Sequence, residues 1–212
     1  MLKLVLVIAA GLLMNSNQSS ASVLRAVEAR NIEKLDSAIS AGHQLDERNA
    51  KGQTALLVAV WNDDVEAAEK LIAAGADVNA KDDIQDSPYL VAGAQGRVQI
   101  LKLILANGAD LKSTNRFGGT ALIPAAEKGH PEAVKLLIDS GVDIDHVNNL
   151  GWTALMEAVV LSDGGPTHQE IIRLLLDAGA DHTIPDSAGV TALEHARRLG
   201  YVEITKMLEE AE

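Results

Sequence analysis

The sequence predicts an all-α repeat solenoid, a stack of helix-turn-helix units in which each unit packs on its neighbours. Two series of residues carry this prediction. One consists of glycines and the other of hydroxyl residues, and both recur at one constant interval: Gly42, Gly75, Gly108 and Gly141, then Thr54, Ser87, Thr120 and Thr153. The next members of the two series are Gly179 and Thr191. Both come late by the same five residues in the same place, which indicates an insertion in a regular array.

Each unit begins with a helix-start signal. Thr54-Ala55 and Ser87-Pro88 place a hydroxyl at the N-cap and a suitable residue at the first helical position. A short apolar helix such as ALLVAV follows, then a polar turn, then a second helix with periodic aliphatic residues such as VEAAEKLIAAG. The glycine that closes each second helix suits a left-handed residue, where a β-branched side chain should cost about 1 kcal/mol or more.

These residues resemble the ankyrin repeat, with its G-x-T-A-L-x-x-A start and its L-L-x-x-G-A-D end. The resemblance implies finger loops of β-hairpin form between the helix pairs. It covers five repeats (49–81, 82–114, 115–147, 148–185 with the insertion, and 186–212 as the C-terminal cap), preceded by a degenerate N-terminal cap (22–48). The stretch FGGTALIPAAEKGH is similar to a group of short bacterial ankyrin proteins, some of them exported. The sequence departs from the family pattern at Asp63, Gln85 and Pro124.

Residues 1–21 have the pattern of a secretory signal peptide. A basic start is followed by the eleven-residue apolar run Leu4–Met14, which is too short to span a bilayer comfortably, and by small residues at Ser19-Ser20-Ala21. We predict export and cleavage before Ser22, which gives a secreted or periplasmic protein with no membrane insertion afterwards. Two alternatives are an uncleaved anchor and translation from Met14, which would leave a cytoplasmic protein.

The charge of the chain excludes several kinds of partner. With 18 Lys and Arg against 30 Asp and Glu, the net charge is −12, and it becomes −13 when residues 1–21, with their single Lys, are removed. Nucleic acids and anionic lipids require cationic side chains, so we predict neither as a partner. Such a charge favours a soluble monomer.

The chain has no cysteine, so disulfides and thiolate chemistry are excluded. We also predict no cofactor.

The insertion itself, SDGGPTHQE, contains residue types found in hydrolases: Ser162, Asp163 and His168. It has no G-x-S-x-G turn to strain a nucleophile, and nothing marks an oxyanion hole. A structural reading explains every residue. The glycine pair permits a turn, Pro166 blocks the helix, and Thr167 and Glu170 form the capping box that starts the second helix. We therefore predict a structural loop and no catalysis.

The six histidines lie in different repeats and lack the H-E-x-x-H or C-x-x-C spacing of metal sites, so we predict no bound metal.

The resemblance also implies a binding surface, because ankyrin proteins generally hold other proteins with their fingertips and the ends of their inner helices, on the concave face. Carried over, the partner-binding residues are Arg48, Lys51, Trp61, Lys81, Ile84, Arg116, Phe117, Lys128, Leu150, Trp152, Val160 and Leu161. Three of the five aromatic residues of the chain are in this set, and aromatic and Arg side chains are common anchors at interfaces. In the alternative reading, Trp61 and Trp152 cover seams between repeats.

The sequence as a whole predicts a non-catalytic, exported scaffold that binds another protein through its concave face, in the sharper form as an inhibitor of, or protection against, an envelope enzyme. The alternatives are a cytoplasmic scaffold translated from Met14 and a hydrolase that uses Ser162, Asp163 and His168.

Overall fold

The computed structural model describes residues 22–211, and these residues form twelve α-helices and no β-strand. In chain order the helices are α1 Val23–Glu28, α2 Ile32–Ser40, α3 Ala55–Trp61, α4 Val65–Ala73, α5 Pro88–Ala94, α6 Val98–Ala106, α7 Leu122–Glu127, α8 Pro131–Asp139, α9 Ala154–Val160, α10 Pro166–Asp177, α11 Ala192–Leu199 and α12 Val202–Glu210. They pair into helix-turn-helix units, so the predicted all-α solenoid is confirmed. The predicted signal peptide, residues 1–21, lies outside the described residues.

The units stack in two layers. The first helix of each unit packs on the first helix of the next unit, and the second helices do the same. Five successive first helices each bury an alanine completely: Ala59, Ala92, Ala125, Ala158 and Ala196. A methyl group lets neighbouring helices approach closely, so this series gives a dense core to a chain with few aromatic residues. Among the helices of residues 22–211, none combines the length and the apolar character needed to cross a membrane.

Four of the predicted hydroxyl caps form. Thr54, Ser87, Thr153 and Thr191 each accept a hydrogen bond from the backbone N–H three residues later, at 3.2–3.3 Å. Thr191 completes a capping box, because Glu194 Oε2 in return accepts from the Thr191 N–H at 3.0 Å. Each cap satisfies an N–H group that a helix start leaves without a partner.

The fifth hydroxyl of the series, Thr120, caps no helix, and the prediction of an N-cap there is wrong. Pro124 has no N–H, so it cannot donate to Thr120 O as Val58 donates to Thr54 O at 3.0 Å. The Ile123 N–H bonds to Thr120 O instead, at 3.3 Å, and α7 begins only at Leu122. The Thr120 hydroxyl is left buried with no hydrogen-bond partner.

The glycines that close the second helices adopt the expected left-handed conformation, with φ between +72° and +96° along the series from Gly42 to Gly179. Two of the departures from the family pattern keep a positive φ without being glycine: +55° at Asp63 and +69° at Gln85. The carboxylate of Asp63 lies 3.0 Å from Arg97 Nη1 in the next unit. Glycine could not make this ion pair.

The helix that follows the insertion begins earlier than predicted. α10 starts at Pro166, with Gly165 at the N-cap, and no side chain caps it. Pro166 does not block the helix, because at the first helical position its missing N–H needs no partner and its φ is already suitable. The predicted capping box of Thr167 and Glu170 is therefore wrong.

Candidate functional site

The finger loops, which join each second helix to the next first helix, are held by one repeated side chain. Its Oδ1 atom accepts hydrogen bonds from the backbone N–H groups two and four residues later, at 2.8–3.1 Å. The five residues are Asn49, Asp82, Asn115, Asn148 and Asp186. They form a third series with the same spacing, a signal in the sequence that predicts this role. The fingers are thus compact turns, without the strands that a β-hairpin would add within residues 22–211.

The concave face, formed by the fingers and the C-terminal ends of the first helices, holds most of the exposed apolar side chains. Seven of the eight large hydrophobic residues that are exposed in the described chain lie there: Trp61, Ile84, Phe117, Val147, Leu150, Leu161 and Leu199. The exception is Val202, at the start of α12. Of the predicted binding residues, Ile84, Phe117 and Leu150 are each more than half exposed, at 53%, 54% and 54%.

Two surface depressions meet at Trp61. The first, of ≈ 690 Å³, lies between fingers one and two and is lined by Lys51, Val58, Trp61 and Ile84, among others. The second, of ≈ 250 Å³, is lined by Trp61, Pro124, Arg116, Phe117 and Lys128, among others. The structure thus brings six of the predicted residues together along one groove.

Two of the predicted basic residues hold the fingers rather than point freely outward. Arg48 Nη1 donates to the carbonyl oxygens of Gly52 and Lys81. Lys81 Nζ donates in turn to Thr114 O, one unit further on, at 2.8 Å. These bonds connect successive fingers, so the groove keeps its shape in the absence of a partner.

The other basic residues of the groove differ in how they are engaged. Arg116 lies 3.6 Å from Asp86 Oδ1, and its guanidinium is 4.8 Å from the centre of the Phe117 ring. Burial, followed by the charge of Asp82, raises the pKa of the Asp86 carboxyl, and Arg116 opposes that rise. Lys51 and Lys128 form no ion pair with any carboxylate of residues 22–211. These two cations are available to a partner.

Two predicted residues, Trp152 and Val160, are only partly exposed and pack against the core. Trp152 therefore fits the alternative reading, in which it covers a seam, better than it fits a free anchor. The apolar surface of the fourth unit is provided by Leu150 and Leu161, at 54% and 49% exposure.

Glu157 is a site residue that the prediction missed. It lies in α9 and is only 5% exposed, at the position that Val58 and Pro124 occupy in the first and third repeats. Burial, with a smaller contribution from the charge of Glu127, raises its pKa from 4.5 to about 7, and a 2.8 Å hydrogen bond from Asn148 Nδ2 opposes the rise. In the sequence, the sign of this buried carboxylate is a glutamate inside the otherwise apolar first helix ALMEAV.

The residues of the insertion do not form a catalytic triad. Ser162 Oγ donates to Val159 O and accepts from the Gly164 N–H, and His168 Nε2 lies 3.0 Å from Glu127 O, so both side chains bind backbone groups rather than each other. Asp163 Oδ1 is 3.9 Å from His168 Nδ1. The Tyr201 hydroxyl donates to Ser162 O at 2.7 Å, which ties the loop to the last unit.

No three His, Asp or Glu side chains within residues 22–211 are placed to share a metal ion.

Comparisons with known proteins agree with this architecture. Family models described as ankyrin repeats match residues 23–72 and residues 89–186. A crystal structure of an ankyrin repeat domain from Acinetobacter baumannii AYE is 54% identical to this chain, with a TM-score of 0.87, and covers 89% of this chain and 96% of its own. The chain belongs to the ankyrin repeat family. Ankyrin repeats generally act as scaffolds that bind other proteins.

Two further ankyrin structures are similar to the chain. The ankyrin repeat protein EF0377 is 47% identical, with a TM-score of 0.87, and the match covers 90% of this chain and 97% of that one. The ankyrin repeat domain of Bcl-3, a member of the IkappaB family, is 27% identical, with a TM-score of 0.80, over 89% of this chain and 85% of its own. Among proteins with curated descriptions, none matches this ankyrin chain.

Proposed function

We propose that this ankyrin protein is a non-catalytic monomer that binds another protein on its concave face. One observation carries the proposal: seven of the eight exposed large hydrophobic side chains of residues 22–211 lie on that face. Exposed apolar side chains that cluster on one face of a soluble protein often mark a contact site for a partner. Fingers that are held by side-chain hydrogen bonds before binding also lose little conformational freedom on binding.

Affinity capture with matched variants tests the proposal. The groove variant Trp61→Ala/Phe117→Ala/Leu150→Ala removes three exposed side chains from the concave face, and Val202→Ala removes one from elsewhere. We expect both proteins to keep the wild-type circular dichroism spectrum, because these side chains are exposed. A partner should be retained by the wild type and by Val202→Ala, and lost by the groove variant. Equal retention by all three proteins would rule out the concave face as the binding site.

We also propose that the partner is an enzyme of the bacterial envelope, which the scaffold inhibits or against which it protects the cell. The signal-like pattern of residues 1–21 supports the location, and a binding groove without a catalytic triad supports inhibition by occlusion. An intact mass that corresponds to a chain beginning at Ser22 is expected from the native source. A chain beginning at Met14 would contradict export, a chain beginning at Met1 would contradict cleavage, and unchanged enzyme activity upon saturation with the scaffold would contradict inhibition.

A further inference from the structure

Glu157 places an uncompensated carboxylate in the floor of the concave face. In the first and third repeats the residue at this position, Val58 or Pro124, lines a groove depression. Oε1 of Glu157 accepts from Asn148 Nδ2 at 2.8 Å, whereas Oε2 accepts no hydrogen bond from any residue between 22 and 211. Unlike the Thr120 hydroxyl, Oε2 is not among the fully buried atoms without a partner, so it reaches the surface and a group from outside the described chain can contact it.

No cation of the described chain pairs with this carboxylate. From α7, the neighbouring group is Glu127, which carries the same charge and has no ion pair among residues 22–211. From α10, the His168 ring is bound to the backbone oxygen of Glu127. From α11, His195 occupies the equivalent position in the next repeat, and its Nε2 is engaged by Asp186 at 2.8 Å. Burial therefore raises the pKa of this carboxyl instead of being offset by a cation, and a cation from a partner would add an attraction that residues 22–211 do not supply.

Exposed apolar residues are connected to this site by hydrogen bonds. Asn148 connects Glu157 to the fingertip, because its Oδ1 accepts from the Leu150 N–H at 2.9 Å. Leu161 follows Glu157 by one helical turn and donates its N–H to Glu157 O at 3.0 Å. Phe117 O accepts from the Asn149 N–H at 3.0 Å, which brings the third fingertip alongside the fourth. Leu150 and Leu161 are thus each hydrogen-bonded to a residue of this site, and Phe117 lines the same depression as Glu127.

We propose that the protein partner places a Lys or Arg side chain at this point, with its aliphatic stem between Leu150 and Leu161 and its cationic head at Glu127 and Glu157. Long basic side chains suit this combination, because they have an apolar stem and a charged end. The net charge of −12 also favours encounters with a basic segment. The inference rests on the proposed function and names the chemistry of the partner.

The experiment selects peptides from a random library displayed on phage, with the purified protein as target. Only peptides that lose binding to the Phe117→Ala/Leu150→Ala variant are kept, and these should contain a Lys or Arg beside apolar residues. Changing that residue to Gln in the peptide should weaken binding to the wild type by about tenfold or more. It should leave binding to Glu157→Gln nearly unchanged, because the coupled charge is already absent. Glu157→Gln keeps an acceptor for Asn148, and Glu170→Gln, on the exposed side of α10, is the matched control and should behave as wild type.

A second measurement uses the same peptides. Their affinity for the wild type should fall as the pH decreases from about 8 to about 6, since protonation removes the charge of Glu157, and their affinity for Glu157→Gln should fall less. Kept peptides that are acidic or uncharged, or that lose affinity equally for both proteins, would overturn this inference and leave the binding role intact. If no peptide depends on Phe117 and Leu150, the proposed function itself is wrong.

Discussion

At the scale of single residues, Pro124 changes the role of a residue four positions before it. The threonines at 54, 120 and 153 stand at equivalent positions, yet only the first and last cap a helix. The difference is a missing N–H, because a proline in the first turn cannot donate the bond that the repeat otherwise makes to the threonine carbonyl. The same position in the fourth repeat holds Glu157, so two of the unusual residues of this chain stand at one position of the ankyrin unit.

We therefore expect the same substitution to change the stability of the protein differently at the two threonines. Thr153→Val removes a cap that accepts from the Met156 N–H, and we expect a loss of about 1 kcal/mol in the free energy of unfolding. Thr120→Val removes a buried hydroxyl that has no partner, and we expect no loss or a small gain. Urea unfolding followed by circular dichroism measures both. A loss at Thr120 as large as that at Thr153 would contradict this account.

The raised pKa of Glu157 predicts that the stability of the protein depends on pH. Its pKa in the folded chain, about 7, is above its ordinary value of 4.5, so between these values the folded state binds more protons than the unfolded state. The stability that this group contributes is present below about pH 4.5 and is lost as the pH rises through about 7. We expect Glu157→Gln to be more stable than the wild type by about 2–3 kcal/mol at pH 8, with a much smaller difference near pH 5. A difference in unfolding free energy that stays constant with pH would show that the carboxylate is already compensated.

At the scale of elements, side-chain hydrogen bonds hold the five-residue insertion. It is fixed at both ends: the Tyr201 hydroxyl donates to Ser162 O, and Gln169 Nε2 donates to Gly164 O at 2.8 Å. Its position depends on α12 and on the turn that precedes it, which lie in the next unit. The insertion therefore adds a contact between the fourth and fifth repeats, and the Ser162 hydroxyl binds backbone groups within it.

Substitution of two glycines that both have a positive φ can distinguish the effect of this contact from the effect of backbone strain. Gly164 has φ +71° and a Cβ added there would lie 2.6 Å from Tyr201 Cδ1, whereas Gly179 has φ +87° and nothing within 4 Å. We expect Gly179→Ala to cost about 1 kcal/mol, which reflects a positive φ alone. Gly164→Ala should cost roughly 2 kcal/mol or more, because the aromatic ring must also move. Urea unfolding of both variants is the measurement, and equal losses would mean that Tyr201 does not hold the loop.

At the scale of the whole molecule, stability comes from stacking between neighbours. Each first helix contacts the first helices before and after it, so the central units have two neighbours and the described terminal units have one. Ion pairs between units, such as Arg97 with Asp63 at 3.0 Å, lie at the surface and contribute little compared with the buried aliphatic and alanine side chains. The rigid groove is thus a property of the stack, not of any single repeat.

This arrangement predicts a gradient in amide hydrogen exchange. Protection should be highest in α5 to α8, which are covered on both sides, and lower in α1, α2 and α12. Mass spectrometry of peptic fragments can measure it. Uniform protection along the chain would indicate that the array unfolds as one cooperative unit.

Much of the molecule follows from the sequence by itself. The constant repeat interval, the helix pairs, four of the five hydroxyl caps and the left-handed glycines were all predictable, because each depends on local backbone preferences or on periodic burial. The repeated Asn and Asp residues that hold the finger loops, from Asn49 to Asp186, could also be found in this way, since each accepts hydrogen bonds only from residues two and four positions away.

The tertiary structure alone decided which concave residues are free. Arg48 and Lys81 are engaged by the carbonyl oxygens of the following fingers, and Trp152 is partly covered by the core. Glu157 is buried without a cation, although many glutamates at helical positions remain solvated. These outcomes depend on contacts between residues about one repeat apart, and a local sequence pattern does not specify the distances across such a stack.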